Sequence, residues 1–141
     1  MVNSKCISLL AAFMCSASMA LAGPSATEAY MELHQKELAA KSYEDLTKLR
    51  SKSSIANDKQ ISAEEKVALF PLFQATMPTK VKVLKENIEG NKATLDIEVP
   101  AVAPANGMVE HTTGTVTLEL EDGQWKLFKE SWQSKAESVA H

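Results

Sequence analysis

The 141-residue chain carries 15 Lys and Arg against 18 Asp and Glu, a net charge of −3 without long runs of one sign. This excludes a nucleic-acid-binding surface and electrostatic attachment to an anionic membrane. Its 2 cysteines, Cys6 and Cys15, both lie near the start, so disulfides, thiolate metal sites and a cysteine nucleophile are excluded from the rest of the chain.

The first segment reads as an export signal. Lys5 supplies a positive n-region, "ISLLAAFMCSASMA" the apolar stretch, and Ala20-Leu21-Ala22 an A-x-A cleavage site, so residues 1–22 form a signal peptide cut after Ala22. The apolar run is shorter than the roughly 20 residues of a membrane span. Phe13 and Met14 are too bulky to precede a lipid-modified cysteine at Cys15. The mature chain, residues 23–141, is therefore expected to be one thiol-free domain, periplasmic or secreted, with no membrane span.

Periodicity predicts a helical half. Ser25 and Glu28 form a capping box ahead of Ala26, Ala29, Tyr30, Leu33 and Leu38, which gives a helix over about Ala26–Ala40. Ser42 is a second N-cap, and Tyr43, Leu46 and Leu49 share one face of a helix ending at the serine-rich "RSKSS". A linker-like "SKSSIANDKQ" follows. Ser62 and Glu65 make another capping box for a third helix presenting Val67, Phe70 and Phe73, which Pro71 should kink or end. Pro78 closes this half.

Beyond Pro78 the period becomes two. "KVKVLKENI" and "ATLDIEV" flank the turn Glu89–Lys92, and "MVEHTTGTVTLELE" and "QWKLFKESW" flank Asp122-Gly123. Helices followed by strands predict an α+β fold, with three N-terminal helices packed on a curved four-stranded antiparallel sheet. The last arm breaks its own alternation: Trp125 and Leu127 point one way, Phe128 and Trp132 the other.

The stretches "VKVLKENIEGNKATLDIEV" and "GTVTLELEDGQWKLFKESW", following a short helical half, resemble the nuclear transport factor two-like superfamily over residues 25–132. The acidic-Gly-x-Trp-Lys-hydrophobic reading of the last hairpin is similar to its small secreted lumazine-binding-like and uncharacterised bacterial branch. The resemblance implies a cystatin-like cone capped by helices. Its concave face would take Leu95, Ile97, Val116, Leu118, Trp125 and Leu127 against Tyr30, Leu33, Leu46 and Phe70. Leu84, Phe128 and Trp132 would stay on the convex face.

Pocket candidates are Tyr30, His34, Trp125 and His111; outer-face interaction candidates are Leu84, Phe128 and Trp132. His34 stands one turn from Tyr30 and Leu38, beside the apolar stripe, where a boundary histidine is the plainer reading. His111 points outward in a regular strand, and a bulge at Gly114 would turn it inward. Alternation sends Asp96 outward. Motifs for nucleophile elbows, zinc proteases, P-loops and dinucleotides are absent, and three scattered histidines make no metal site, so no cofactor and no metal are expected. Three functions remain open: a non-catalytic exported binding or interaction module, which the missing motifs favour; a cone-pocket acid/base enzyme of isomerase or dehydratase type on a small apolar substrate; and a periplasmic inhibitor or immunity-type protein. Homodimerisation through the sheet would cover Phe128 and Trp132, unless the tail folds back over Trp132 as a short helix. A cavity of a few hundred cubic ångströms holding an inward carboxylate or histidine would favour the enzyme, and a filled cone the interaction module.

Overall fold

A computed structural model describes residues 25–102 and 106–139, so the expected signal peptide lies outside the described residues. Helix α1 spans Ala26–Ala39, α2 Tyr43–Thr47, α3 Lys52–Asn57, and α4 Ala63–Thr76, with a 3-10 turn at Asp58–Gln60. Strands β1 (Lys82–Glu89), β2 (Lys92–Val99), β3 (Met108–Glu121) and β4 (Gln124–Ser138) form one antiparallel sheet in the order β1-β2-β3-β4. The α+β layout is as expected, but the described residues hold four α-helices rather than three.

Local chemistry explains most boundaries. Ser25 and Ser62 each accept from the third helical backbone N–H, and Glu28 and Glu65 reach back to the cap N–H, so both capping boxes start their helices as the sequence implies. The Asp122-Gly123 turn has φ of 50° and 77°, the left-handed pair that a tight hairpin with native twist requires. Glu86 on β1 accepts from the Thr27 N–H at 2.7 Å and its hydroxyl at 3.0 Å, which places a carboxylate at the positive end of α1 and docks that helix on the sheet.

The predicted second helix divides because a strand edge needs partners. Leu127 donates to the Leu49 carbonyl at 3.0 Å and accepts from the Ser51 N–H at 2.7 Å, so Leu49–Ser51 runs beside β4 and satisfies its edge. Ser51 then caps α3 within the segment expected to be a linker. Helix α4 continues through Pro71, which lies on an exposed face where water can satisfy the carbonyl left without a donor.

The core joins Ala26, Tyr30 and Leu33 of α1 to Ala93, Leu95 and Ile97 of β2, Val116 and Leu118 of β3, and Leu127 of β4. Alternation along β2 and β3 delivers these residues to one face. Helix α4 contributes no fully buried residue: Phe70, expected in the core, is only half-buried, and Val67 is 74% exposed.

One irregularity explains the broken alternation of the last arm. Leu118 pairs with Leu127 and Thr117 with Lys129, so Phe128 is an extra residue, a β-bulge in β4. Beyond it the facing reverses. Glu130 lies opposite fully buried Val116, and Trp132 opposite Gly114, so both share the inner face with Trp125 and Leu127. Trp132 packs against the core, a correction to its expected place on the convex face. The tail after it continues β4 to Ser138 as strand, and among the described residues no helix folds over Trp132.

Candidate functional site

Helix α1 places Tyr30, His34 and Glu37 on one stripe at i, i+4 and i+7, all facing the sheet. All three are buried, with His34 1% and Glu37 2% exposed. The bulge at Phe128 turns Glu130 toward the same point. Two local devices, a capped helix and a bulged strand, thus bring an imidazole, a phenol and two carboxylates together under α4.

Their contacts define the chemistry. His34 Nε2 lies 2.8 Å from the Pro78 carbonyl, which only accepts, so the ring donates there and turns Nδ1 toward Glu37. Nδ1 and Glu37 Oε2 are 3.7 Å apart, too far for a hydrogen bond, and neither atom has another partner. The Tyr30 hydroxyl donates to Glu130 Oε1 at 3.3 Å.

Burial shapes the protonation of the group. Desolvation first, then the Glu37 charge, pushes the Glu130 carboxyl up to about 7. For His34 burial is the largest single influence and opposes the charged form, yet the Glu37 carboxylate and the Pro78 carbonyl together leave it raised. Burial and then Glu130 raise Tyr30, which keeps its proton and acts as a donor.

Two cavities open on the cluster. The larger, about 330 Å3, is lined by Glu37, Glu130, Phe73 and Trp132, with Arg50 and Asp58 on its far wall. Arg50 is held by Asp58 at 2.7 Å, and Tyr43 donates to the same carboxylate at 3.0 Å. The smaller, about 130 Å3, has His34, Met77 and Thr76 on one side and shares Phe73, Glu130 and Trp132 with the first. The site therefore has acidic groups at its base and aromatic walls.

Of the expected pocket residues, Tyr30 and His34 meet here. Trp125 is half-buried beside a separate cavity of about 370 Å3, between α1 and the Asp122-Gly123 turn. His111 is exposed opposite Lys135, because β3 pairs regularly through Gly114 with no bulge there. On the outer face Leu84, 52% exposed, is the extra residue of a second bulge and lines a groove with Thr113, Thr115 and Ser131. Phe128 is half-buried, with the Lys92 ammonium 5.6 Å from its ring centre. Glu37 and Glu130 were not singled out from the sequence. Glu37 was readable as the next step of the Tyr30–His34 stripe, whereas Glu130 depended on the bulge.

No known family profile matches the chain, and no curated protein does. Among solved structures it is similar to an NTF2-like protein of unknown function from Methylobacillus flagellatus KT, 11% identical over 80% of this chain and 94% of that one, TM-score 0.47. It is also similar to an NTF2-like protein of unknown function from Shewanella baltica OS155, 14% identical over 77% and 93%, TM-score 0.43. A de novo designed β-sheet protein of cystatin fold is 18% identical over 59% of this chain and 92% of that one, TM-score 0.34.

Proposed function

We propose that this is an exported single-domain binding module that takes a small molecule between α4 and β4. The observation that supports it best is the cavity of about 330 Å3, with Glu37 and Glu130 at its base and Phe73 and Trp132 as walls. A ligand matched to it presents a cationic or hydrogen-bond-donating group to the carboxylates and an apolar body to the aromatics, so it is less apolar than the sequence implied. Helix α4, without a buried residue, is the weakest-held wall and the natural side of entry.

Export is supported by Lys5, the apolar stretch and the Ala20-Leu21-Ala22 site, and the destination in this reading is periplasmic or secreted. No helix of the described residues is long and apolar enough to cross a membrane. Membership in the nuclear transport factor two-like superfamily, and in its lumazine-binding-like branch, belongs to the same proposal; the two hairpins and the helices-first order support it. A homodimer through the outer sheet face would rest on Leu84 and Phe128, since Trp132 is turned inward.

A second reading, a cone-pocket acid/base enzyme, is favoured by one observation: the Glu130 carboxylate, which borders both cavities, has the His34 imidazole and the buried Tyr30 phenol beside it. Mass spectrometry of the mature protein purified gently from its own host tests the binding reading. A small molecule retained by wild type and lost from Trp132→Ala supports it. Empty protein, whose Trp132 fluorescence in a Trp125→Phe background ignores a library of cationic and neutral metabolites, overturns it.

A further inference from the structure

We propose that His34 Nδ1, Glu37 Oε2 and the Glu130 carboxylate form a binding site for one divalent transition-metal ion at the base of this cavity. One ligating atom from each residue lies within 4.8 Å of the other two. The 3.7 Å between His34 Nδ1 and Glu37 Oε2 is close to the roughly 3.0–3.4 Å that separates neighbouring ligands each about 2.1 Å from one ion. A contraction of a few tenths of an ångström brings this pair to ligand spacing, with the Glu130 carboxylate within 4.8 Å of both.

The orphaned atoms are independent support. Nδ1 and Oε2 belong to side chains 1% and 2% exposed, face each other, and have no hydrogen-bond partner. Two buried acceptors without a donor between them are costly, and a cation bound by both removes that cost. The histidine is also oriented as metal-binding histidines are: Nε2 donates to a backbone carbonyl, which fixes the tautomer and points the other nitrogen at the ion. Tyr30 does the same for Glu130 by occupying Oε1, leaving Oε2 free.

Charge balance points the same way. Among the described residues no Lys or Arg forms an ion pair with Glu37 or Glu130: of the two cations that line the cavity, Arg50 is held by Asp58 at 2.7 Å and Lys129 pairs with neither carboxylate. One imidazole and two carboxylates, without sulfur, suit Zn(II), Mn(II), Fe(II) or Co(II) and not Cu(I). His34 and Glu37 stand three apart on one helix, the spacing by which helical bundles present a histidine and a carboxylate to one metal. Glu130 borders both cavities, so the remaining coordination positions open toward water or a ligand. The expectation of no metal weighed the three histidines by themselves; here one histidine is joined by Glu37 from its own helix and by Glu130, which alternation had hidden. This inference stands apart from the organic-ligand reading, because the ion alone is the probe.

Chelator-treated mature protein titrated calorimetrically with Zn(II), Mn(II) and Co(II) tests it. One equivalent of at least one ion is expected to bind, and to raise the thermal midpoint. Glu130→Gln and Glu37→Gln should each weaken binding by more than about 10-fold, the low end of what losing even an outer-shell partner costs, while His111→Gln, at an exposed histidine, leaves it intact. The His34 Nδ1 resonance should shift on saturation with Zn(II), a readout that holds even if one variant fails to fold. Folded wild type that takes up none of the three ions at about 100 µM, or binds them equally as Glu130→Gln, overturns the site.

Discussion

Trp132 occupies the space that a side chain on Gly114 would need. A Cβ built on Gly114 would lie 2.8 Å from Trp132 Cε3 and 2.6 Å from the Ser131 carbonyl oxygen. The glycine is required by close approach and not by its backbone angle. It lets the indole approach β3 closely, beside the acidic cluster. Gly114→Ala should therefore destabilise the protein by about 1–3 kcal/mol through overpacking. Denaturant unfolding checks this, and an unchanged midpoint would mean that Trp132 is not seated there.

Core substitutions should rank by burial. Leu118, fully buried, should cost about 2–5 kcal/mol as Leu118→Ala, and Trp125→Ala less, since Trp125 is half-buried at the sheet end. Urea midpoints of the two variants decide the order; a larger loss at Trp125 would show that the cavity beside it is closed in solution.

Stability of the chelated protein should depend on pH with a defined sign. Glu130 titrates near 7 in the fold against an ordinary 4.5, so the folded state binds the extra proton. Its stabilising contribution is complete below about 4.5 and is lost as pH rises through about 7. Tyr30, His34 and Glu37 of α1 face it, and His34, also raised, acts in the same direction. Glu65 and Asp45 act oppositely: backbone N–H donors lower their values, so their contribution is lost as pH falls. Thermal midpoints from pH 5 to 8 should fall for wild type and fall less for Glu130→Gln; parallel curves would place Glu130 in water.

Export predicts a mass. The secreted protein should begin at Gly23 and contain no cysteine. Intact-mass measurement of material recovered from outside the cytoplasm checks it, and a lipid-bearing species that keeps Cys15 would refute the cleavage site.

Self-association through the outer sheet face would have to use Leu84, and it is not expected. Its bulge separates it from Ile88, which lies opposite inward-facing Ala93, so the two form no continuous patch. Sedimentation of wild type and Leu84→Ser at high micromolar concentration is expected to coincide. A dimer that dissociates in Leu84→Ser would restore the outer-face interface.

The sequence by itself determined what depends on neighbours along the chain. Ser25 with Glu28 and Ser62 with Glu65 start helices by contacts three residues apart, and Asp122-Gly123 turns a hairpin by its own backbone preferences. The alternation of Ala93, Leu95 and Ile97 likewise marks the inner face. What only the tertiary structure decided involves partners far apart in sequence. The helix expected from Ser42 onward stops because Leu49 and Ser51 bond to Leu127 across the β4 edge, and those hydrogen bonds exist only once β4 is in place. The bulge at Phe128 is set by how β4 pairs with β3, and a single extra residue reverses the facing of everything after it. That reversal turns Glu130 from a surface acid into the partner of His34 and Glu37, because side-chain facing in a sheet follows register, and register is a property of two strands together.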